Sequence, residues 1–377
     1  MLRREIYDER CDEFRAAVRR FFAEDVAPDY PSWEEQGYPP RDFWLRAGEL
    51  GILGIGVPAE YGGLEASTFK HSAVVTEEAQ RANIALGIRV QTDVCMPYFL
   101  EYTSEEQKRR WVPELASGRA VGALAMSEPG VGSDMKAMTT TAIRDGDHYV
   151  VNGAKTFISN GMSADLVVIA AKTDPAAGRK GLSLLVAETT SEGFERGRKL
   201  EKLGLRTQDL AELAFTDMVV PAENLLGEQN RGFEYLTNNL AQERLSIAVS
   251  AQAAAVATLE RTTEYVQEHG NGLASEQGTK FELAACASEV AAGQNLIDTA
   301  VDAHDARELS VADAASVKLF CTELQGRVAD RCVQLLGPEA YSRTSPAGGA
   351  FADARVTRIY GGSSEIMKVI VSKDLGL

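Results

Sequence analysis

The chain has no cysteines at redox or metal-ligand spacing. Its five, Cys11, Cys95, Cys286, Cys321 and Cys332, are odd in number, far apart, and include no C-x-x-C. They read as reduced core thiols rather than a disulfide framework. Histidine is scarce as well, four in all with no paired ligand spacing, so no metal site is expected. Long apolar runs are missing. The longest strong one, LVVIAA at 166–171, has six residues against the roughly 20 that a membrane helix needs. Basic clusters longer than three residues are absent, and 39 basic against 55 acidic residues give a net charge of −16. That balance speaks against a nucleic-acid partner. The N-terminus MLRREIYDER carries charge by its third residue and lacks a signal-peptide core. The expectation is a soluble cytoplasmic protein without a membrane span. Also absent is the strand–GxGxxG–helix unit of dinucleotide folds; the glycines of GILGIG at 51–56 have the wrong spacing.

What is present suits a large core. With 377 residues, 45% apolar and 25% charged, the chain should split into two or three domains. Residues 1–118 read as helical: CDEFRAAVRRFFAED places Phe14, Ala17 or Val18, Phe21 and Phe22 on one stripe, and RDFWLRAGELGIL repeats the pattern. Residues 119–228 change period. IRDGDHYVVNG carries Asp145-Gly146 between apolar segments, a hairpin signal. DLVVIAAK and GLSLLVAE are compact, β-branched runs, and no helix-length crossover separates the strands, so an antiparallel sheet is expected. From 229 to 377 the chain is helical again, with long segments near 231–268, 278–303 and 310–336. In the last of these Val317, Cys321, Leu324, Val328, Cys332 and Leu335 recur at intervals of three and four, the stripe of a four-helix bundle. The fold class is α+β: a helical N-terminal domain, a central antiparallel β-domain and a C-terminal helical bundle.

Several stretches carry chemistry. In GALAMSEPGVGSDMKAMTT (122–140) a short apolar run ends in Ser127-Glu128-Pro129, followed by Gly130, Gly132 and Ser133. The glycines let the main chain approach a planar or charged ligand, and the hydroxyls can bond polar ring atoms. A surface turn would read the same way if this motif stood alone. It is followed by VNGAKTFISNG (151–161), GLRTQDLAELAFTDMVVPAENLLGEQNRGFEYL (204–236), LAQERLSIA (240–248), CVQLLG (332–337) and DARVTRIYGGSSEIMK (353–368). In NLAQERLSIA, Leu236, Leu240, Glu243 and Ile247 are spaced four, three and four residues, so Glu243 shares a face with three apolar side chains. A carboxylate so placed is partly desolvated, which lifts its pKa toward the range of a general base. An ion pair with Arg244 accounts for the same spacing, and spacing alone leaves both readings open.

This ordered set, with PAEYGG at 58–63, resembles the acyl-CoA dehydrogenase family, flavoproteins that desaturate acyl thioesters. The resemblance covers essentially the whole chain. It implies FAD as cofactor, with Leu124, Met126, Ser127, Gly132 and Ser133 lining the flavin or the adjoining thioester. Phe157 stands where the family usually has a tryptophan against the flavin, and Ser159 where a threonine bonds it. Ser363 and Glu365 match positions that touch FAD; Ser363 equally suits the N-cap of a helix. Gln334 and Gly337 match a motif that reaches the FAD of a neighbouring subunit. Many relatives carry their catalytic glutamate directly after the tyrosine of the C-terminal motif, and here that position is Gly361. The long-chain and isovaleryl-type branches place the base before an Arg-Leu pair and carry glycine at the later position. QERLSIA together with IYGGSSEIMK looks most like those branches, so the resemblance implies Glu243 as the base. It places Arg244, Tyr360, Gly361 and Gly362 beside the substrate with Ser133.

Two motifs depart from the family pattern. His269 stands where relatives have an arginine, in a segment that looks shorter, and QLLGPEAY puts Pro338, Glu339 and Ala340 where a glycine-rich turn is usual. Both changes fall where a neighbour's FAD would sit. The resemblance implies an acyl-CoA or acyl-carrier thioester substrate, a homotetramer or homodimer, electron-transferring flavoprotein as electron acceptor, and a place in fatty acid metabolism. A flavin oxidase or monooxygenase on the same fold, and a non-catalytic flavin or acyl-CoA binding subunit, are the alternatives.

Overall fold

The computed structural model describes residues 4–269, 272–342 and 345–377; the side chain of His269 is outside them. The N-terminal layer holds α1 (Glu9–Phe21), α2 (Tyr30–Gln36), α3 (Arg41–Glu49), α4 (Phe69–Arg81), α5 (Met96–Tyr102) and α6 (Glu105–Ala116). Its ends are capped by side chains. Asp8 accepts from the Cys11 N–H, and Thr68 with His71 and Ser104 with Gln107 form reciprocal capping boxes on α4 and α6. Of the expected stripe on α1, Val18, Phe21 and Phe22 are buried and Phe14 and Ala17 partly so, with Cys11 buried as well.

The middle layer is an eight-stranded sheet of β1 (Gly122–Ala125), β2 (Thr141–Asp145), β3 (His148–Ser159), β4 (Leu166–Lys172), β5 (Leu182–Glu188), β6 (Phe194–Lys199), β7 (Leu210–Pro221) and β8 (Leu225–Leu226). Its order is β6-β7-β3-β2-β4-β5-β8, with β1 on β4. Most neighbours are antiparallel. β1 and β4 run parallel, Gly122 opposite Leu166, and the connection between them is the β2–β3 hairpin instead of a helix. The hairpin turn sits one residue later than the sequence suggests: Asp145 pairs with His148, and Gly146 (φ 61°) and Asp147 form the loop.

β4 and β5 are buried on both faces. Leu166, Val168, Leu184 and Val186 pack with Tyr98, Phe99 and Trp111 of the helical layer. Val167, Ile169, Leu185 and Ala187 face Tyr149, Val151, Leu213 and Phe215 of the hairpin and β7. The continuous apolar runs in sequence follow from this double burial.

The C-terminal part is α7 (Gly232–His269), α8 (Gln277–Asp305), α9 (Val311–Leu336), α10 (Pro346–Thr357) and α11 (Ser364–Asp374). The stripe read on α9 is buried from Val317 to Cys332. Helix α7 is the shared element. Leu245, Ala248 and Val249 pack on Phe69 and Ala73 of α4 and on Ile297 and Cys321 of α8 and α9. Leu236, earlier on α7, joins the cluster beneath the sheet.

Candidate active site

Strand β1 delivers the first group of predicted residues. Leu124 is buried, and Met126 packs on the cluster that contains Tyr98, Tyr235 and Leu236. Beyond Ser127 the chain turns through Pro129 and Gly130 (φ 83°), closed by reciprocal bonds between Glu128 and Val131 at 3.1 and 2.9 Å. Glu128 itself is buried. It accepts from the N–H and hydroxyl of Thr139, from the Thr140 N–H and, at 2.9 Å, from Lys155 Nζ. Lys155 also donates to the Met126 carbonyl at 3.0 Å. Burial pushes the Glu128 carboxyl up, but the Thr140 bond and the Lys155 charge outweigh it and hold the group at about 2.

This staple fixes the end of β1 against β3 where β3 bulges between Lys155 and Ile158. The Thr156 N–H donates to the Ser127 carbonyl at 2.9 Å. At the bulge Phe157 adopts φ 57°, a left-handed conformation costly for an aromatic residue, and its ring is 65% exposed. Ser159 lies two residues on, partly buried, and Gly132 and Ser133 are exposed beyond the Glu128–Val131 turn.

The second group gathers on α7. Glu243 is buried at 6% exposure, and the Tyr98 hydroxyl of α5 donates to its Oε1 at 3.1 Å. Burial raises its pKa, the Tyr98 bond and the Arg244 charge pull it back, and it settles at about 7. Arg244 is buried with Nε and Nη1 unpartnered among the described residues, and burial lowers its pKa.

The C-terminal loop approaches one turn later on the same helix. A Cβ at Gly361 would stand 2.1 Å from Ile247 Cδ1, and Gly361 (φ 61°) and Gly362 (φ 93°) are both left-handed. Lys318 of α9, fully buried, donates to the Gly362 carbonyl at 2.8 Å. Glu323, also on α9, holds Arg358 at 3.1 Å and the Ser364 hydroxyl at 2.7 Å. Tyr360 is partly buried in this loop.

Three family models cover nearly the whole chain: acyl-CoA dehydrogenase N-terminal domain at residues 8–119, middle domain at 123–218 and C-terminal domain at 230–376. The chain belongs to the acyl-CoA dehydrogenase family. It is 39% identical over 377 residues to the mitochondrial long-chain specific acyl-CoA dehydrogenase of Sus scrofa, covering 99% of this chain and 88% of that one. The crystal structure of an acyl-CoA dehydrogenase from Geobacillus kaustophilus superposes with a TM-score of 0.96 at 43% identity, over 99% of this chain and 100% of the other. A glutaryl-CoA dehydrogenase from Mycobacterium smegmatis, solved in complex with FADH2, superposes at 0.87 with 26% identity, over 98% and 95% of the two chains.

Acyl-CoA dehydrogenases are flavoprotein oxidoreductases, and the residues of this chain fit a flavin. Phe157 presents an aromatic face, no atom lies within 4 Å of a Cβ built at Gly130 or Gly132, and the hydroxyls of Ser127, Ser133 and Ser159 lie on the same segments. The shared cluster of Leu124, Met126, Tyr98 and Leu236 brings these segments to the turns of α7 that carry Glu243.

Of the other predicted residues, Ser363 and Glu365 follow the glycine pair directly, whereas Gln334 and Gly337 lie at the far end of α9. Ser363 caps α11, accepting from the Ile366 N–H at 3.4 Å, and Glu365 is exposed in that helix's first turn. Gln334 is exposed near the C-terminal end of α9, 16 residues and about 24 Å along the helix from Lys318. Gly337 (φ 64°) opens the turn that follows. That turn borders a separate cavity of about 270 Å³ lined by Thr258, Arg261, Leu336 and Glu339. The altered segment around His269 falls partly outside the described residues.

Sequence reasoning missed Tyr98, Lys155, Ile247 as the partner of Gly361, and Lys318. Glu128 read in sequence only as part of a turn. Lys155 carried no distinguishing signal, since Asn152, Thr156 and Ser159 of the same strand are polar as well.

Proposed function

We propose that this chain is an FAD-dependent acyl-CoA dehydrogenase that converts an acyl thioester to its trans-2-enoyl thioester, with Glu243 as the base. One observation carries the reading: a carboxyl group with a pKa of about 7, buried on α7 and held by the Tyr98 hydroxyl, one turn from the glycine loop. A base poised near neutrality is half ionised at pH 7 and accepts a proton readily.

Leu124, Met126, Ser127, Gly132, Ser133, Phe157 and Ser159 would hold the isoalloxazine side of FAD. Ser363 and Glu365 would meet it at the start of α11, where the helix N-terminus suits a phosphate. Gln334 and Gly337 would serve a neighbouring subunit's FAD in a homotetramer or homodimer. Bound FAD supplies the hydride acceptor for the β-carbon. Glu243 removes the α-proton onto a carboxylate oxygen, and the electron pair of that C–H bond becomes the new double bond as the hydride departs. The left-handed backbone at Gly361 and Gly362, clamped by Lys318 and Glu323, would form the wall against which the thioester lies, and Ser133, Arg244 and Tyr360 would line the rest of its site. Water is excluded by the apolar side chains packed around Tyr98 and Leu236.

Electron-transferring flavoprotein is the proposed acceptor of the electrons. Five free, buried cysteines support a reducing, cytoplasmic setting, and among the described residues no helix is long and apolar enough to cross a membrane.

The test is anaerobic titration of the FAD-loaded protein with acyl-CoAs of increasing chain length, wild type against Glu243→Gln. Flavin bleaching in the wild type and its loss in a variant that retains FAD are expected. Undiminished bleaching in the variant would remove Glu243 from the mechanism.

A further inference from the structure

Glu243 is oriented from outside its own helix. Immediately before α5 the chain makes a π-helical turn, Val90–Cys95, and Pro97 then starts α5. This turn is registered against α7 on both sides of Glu243. Gln242 Nε2 donates to the Asp93 carbonyl at 2.9 Å, and Ser246 donates to the Asp93 carboxylate, which also receives Ser72 at 2.6 Å and Thr92 at 2.8 Å. Tyr98, fully buried, follows one turn later with its hydroxyl on Glu243 Oε1. Among the described residues no hydrogen bond reaches the other oxygen, Oε2.

We propose that Tyr98 is a positioning residue for the base: it fixes one carboxylate oxygen of Glu243 from the N-terminal layer and leaves the other to face the substrate's α-carbon. This rests on the reading of Glu243 as the base. The hydrogen bond favours the ionised carboxylate, so Tyr98 also sets the pH at which the base is ready.

The other groups facing Glu243 do not replace it. Cys95 lies on the same side and is held neutral by burial, and the Arg244 charge acts from α7 itself. Lys318 on α9 is spent on the Gly362 carbonyl, and Asp93 on its three hydroxyls. Burial and the nearby Glu243 keep the Tyr98 phenol protonated throughout the working range, so it remains a donor.

The experiment measures the rate of flavin reduction by acyl-CoA in the FAD-loaded enzyme between pH 5.5 and 9.5, read for Tyr98→Phe, Glu243→Gln and the double variant. In Tyr98→Phe the apparent pKa of the reductive step should rise by about one pH unit, with a loss of about fivefold at pH 7 that shrinks as the pH rises. FAD content should be unchanged. In the Glu243→Gln background, Tyr98→Phe should have no further effect. A profile in Tyr98→Phe that overlays the wild type, or a loss equal at every pH, would overturn the inference while the base assignment stands. Full activity in Glu243→Gln would overturn both. Should Tyr98→Phe fail to fold, Tyr98→difluorotyrosine keeps the shape and strengthens the donor. Its profile should then move to lower pH, and no movement would refute the role.

Discussion

If Glu243 is held with a pKa near 7, its ionisation opposes folding, and Glu243→Gln should stabilise the protein in a pH-dependent way. The displacement is from the ordinary 4.5 to about 7. At about 1.4 kcal/mol per pH unit this amounts to about 3 kcal/mol at pH 8. The sign follows from the raised folded value. The native state holds the proton more tightly than the unfolded chain, so stability is fully present below 4.5 and is lost as pH rises through about 7. At pH 5 the same linkage leaves a difference of only about 1 kcal/mol. Glutamine matches the neutral carboxyl in size, and its carbonyl still accepts from Tyr98. Thermal unfolding of both proteins at saturating FAD, at pH 5 and pH 8, should show the variant gaining about 5 °C at pH 8 and much less at pH 5. A gain independent of pH, or a variant less stable at pH 8, would refute the idea that burial of this carboxylate sets its pKa. The same experiment measures what the site gives up in stability for its chemistry.

Two further outcomes are expected. Lys155→Met leaves the Glu128 carboxylate buried without its countercharge; the three Thr139 and Thr140 bonds remain, so the loss should be about 3 kcal/mol, seen as a lower melting point and weaker FAD retention. Adding Glu128→Gln should recover more than half of it, and a single-variant loss below about 1 kcal/mol would show that the pair does not hold β1 to β3. Gly361→Ala should slow flavin reduction and cost about 1–2 kcal/mol through its left-handed backbone, plus a clash with Ile247 Cδ1 that Ile247→Val relieves. Equal activity in Gly361→Ala with and without Ile247→Val would show that the contact does not matter.

The parts of this protein that were legible in sequence are those written in local periodicity. The α9 stripe from Val317 to Cys332, the double-buried strands β4 and β5, and the β2–β3 hairpin all follow from spacing that a few neighbouring residues determine. What escaped depends on partners far along the chain. The parallel pairing of β1 with β4 is invisible because each strand satisfies the same apolar pattern whichever way its neighbour runs. Spacing put Glu243 on an apolar face, but the phenol that meets it, Tyr98 of α5, is 145 residues away. Lys155 and Glu128 each read as a local polar position, and only the approach of β3 to the end of β1 pairs them.

With Glu243 proposed as the base, the glycine at 361 gives that location a physical consequence. A side chain there would have to adopt φ 61° and displace Ile247, which packs one turn beyond Glu243. The loop and the helix therefore constrain each other: a carboxylate on α7 needs a bare loop opposite it, and the bare loop lets α7 come close. On the proposed assignment the base is placed by a 38-residue helix that packs on α4, α8 and α9, and by a phenol from α5, both outside the glycine loop. The loop itself is clamped by Lys318 and Glu323. On this reasoning, substitutions that loosen the clamp, such as Glu323→Gln, should alter substrate binding more than the pKa of the reductive step, whereas changes around Tyr98 should do the reverse.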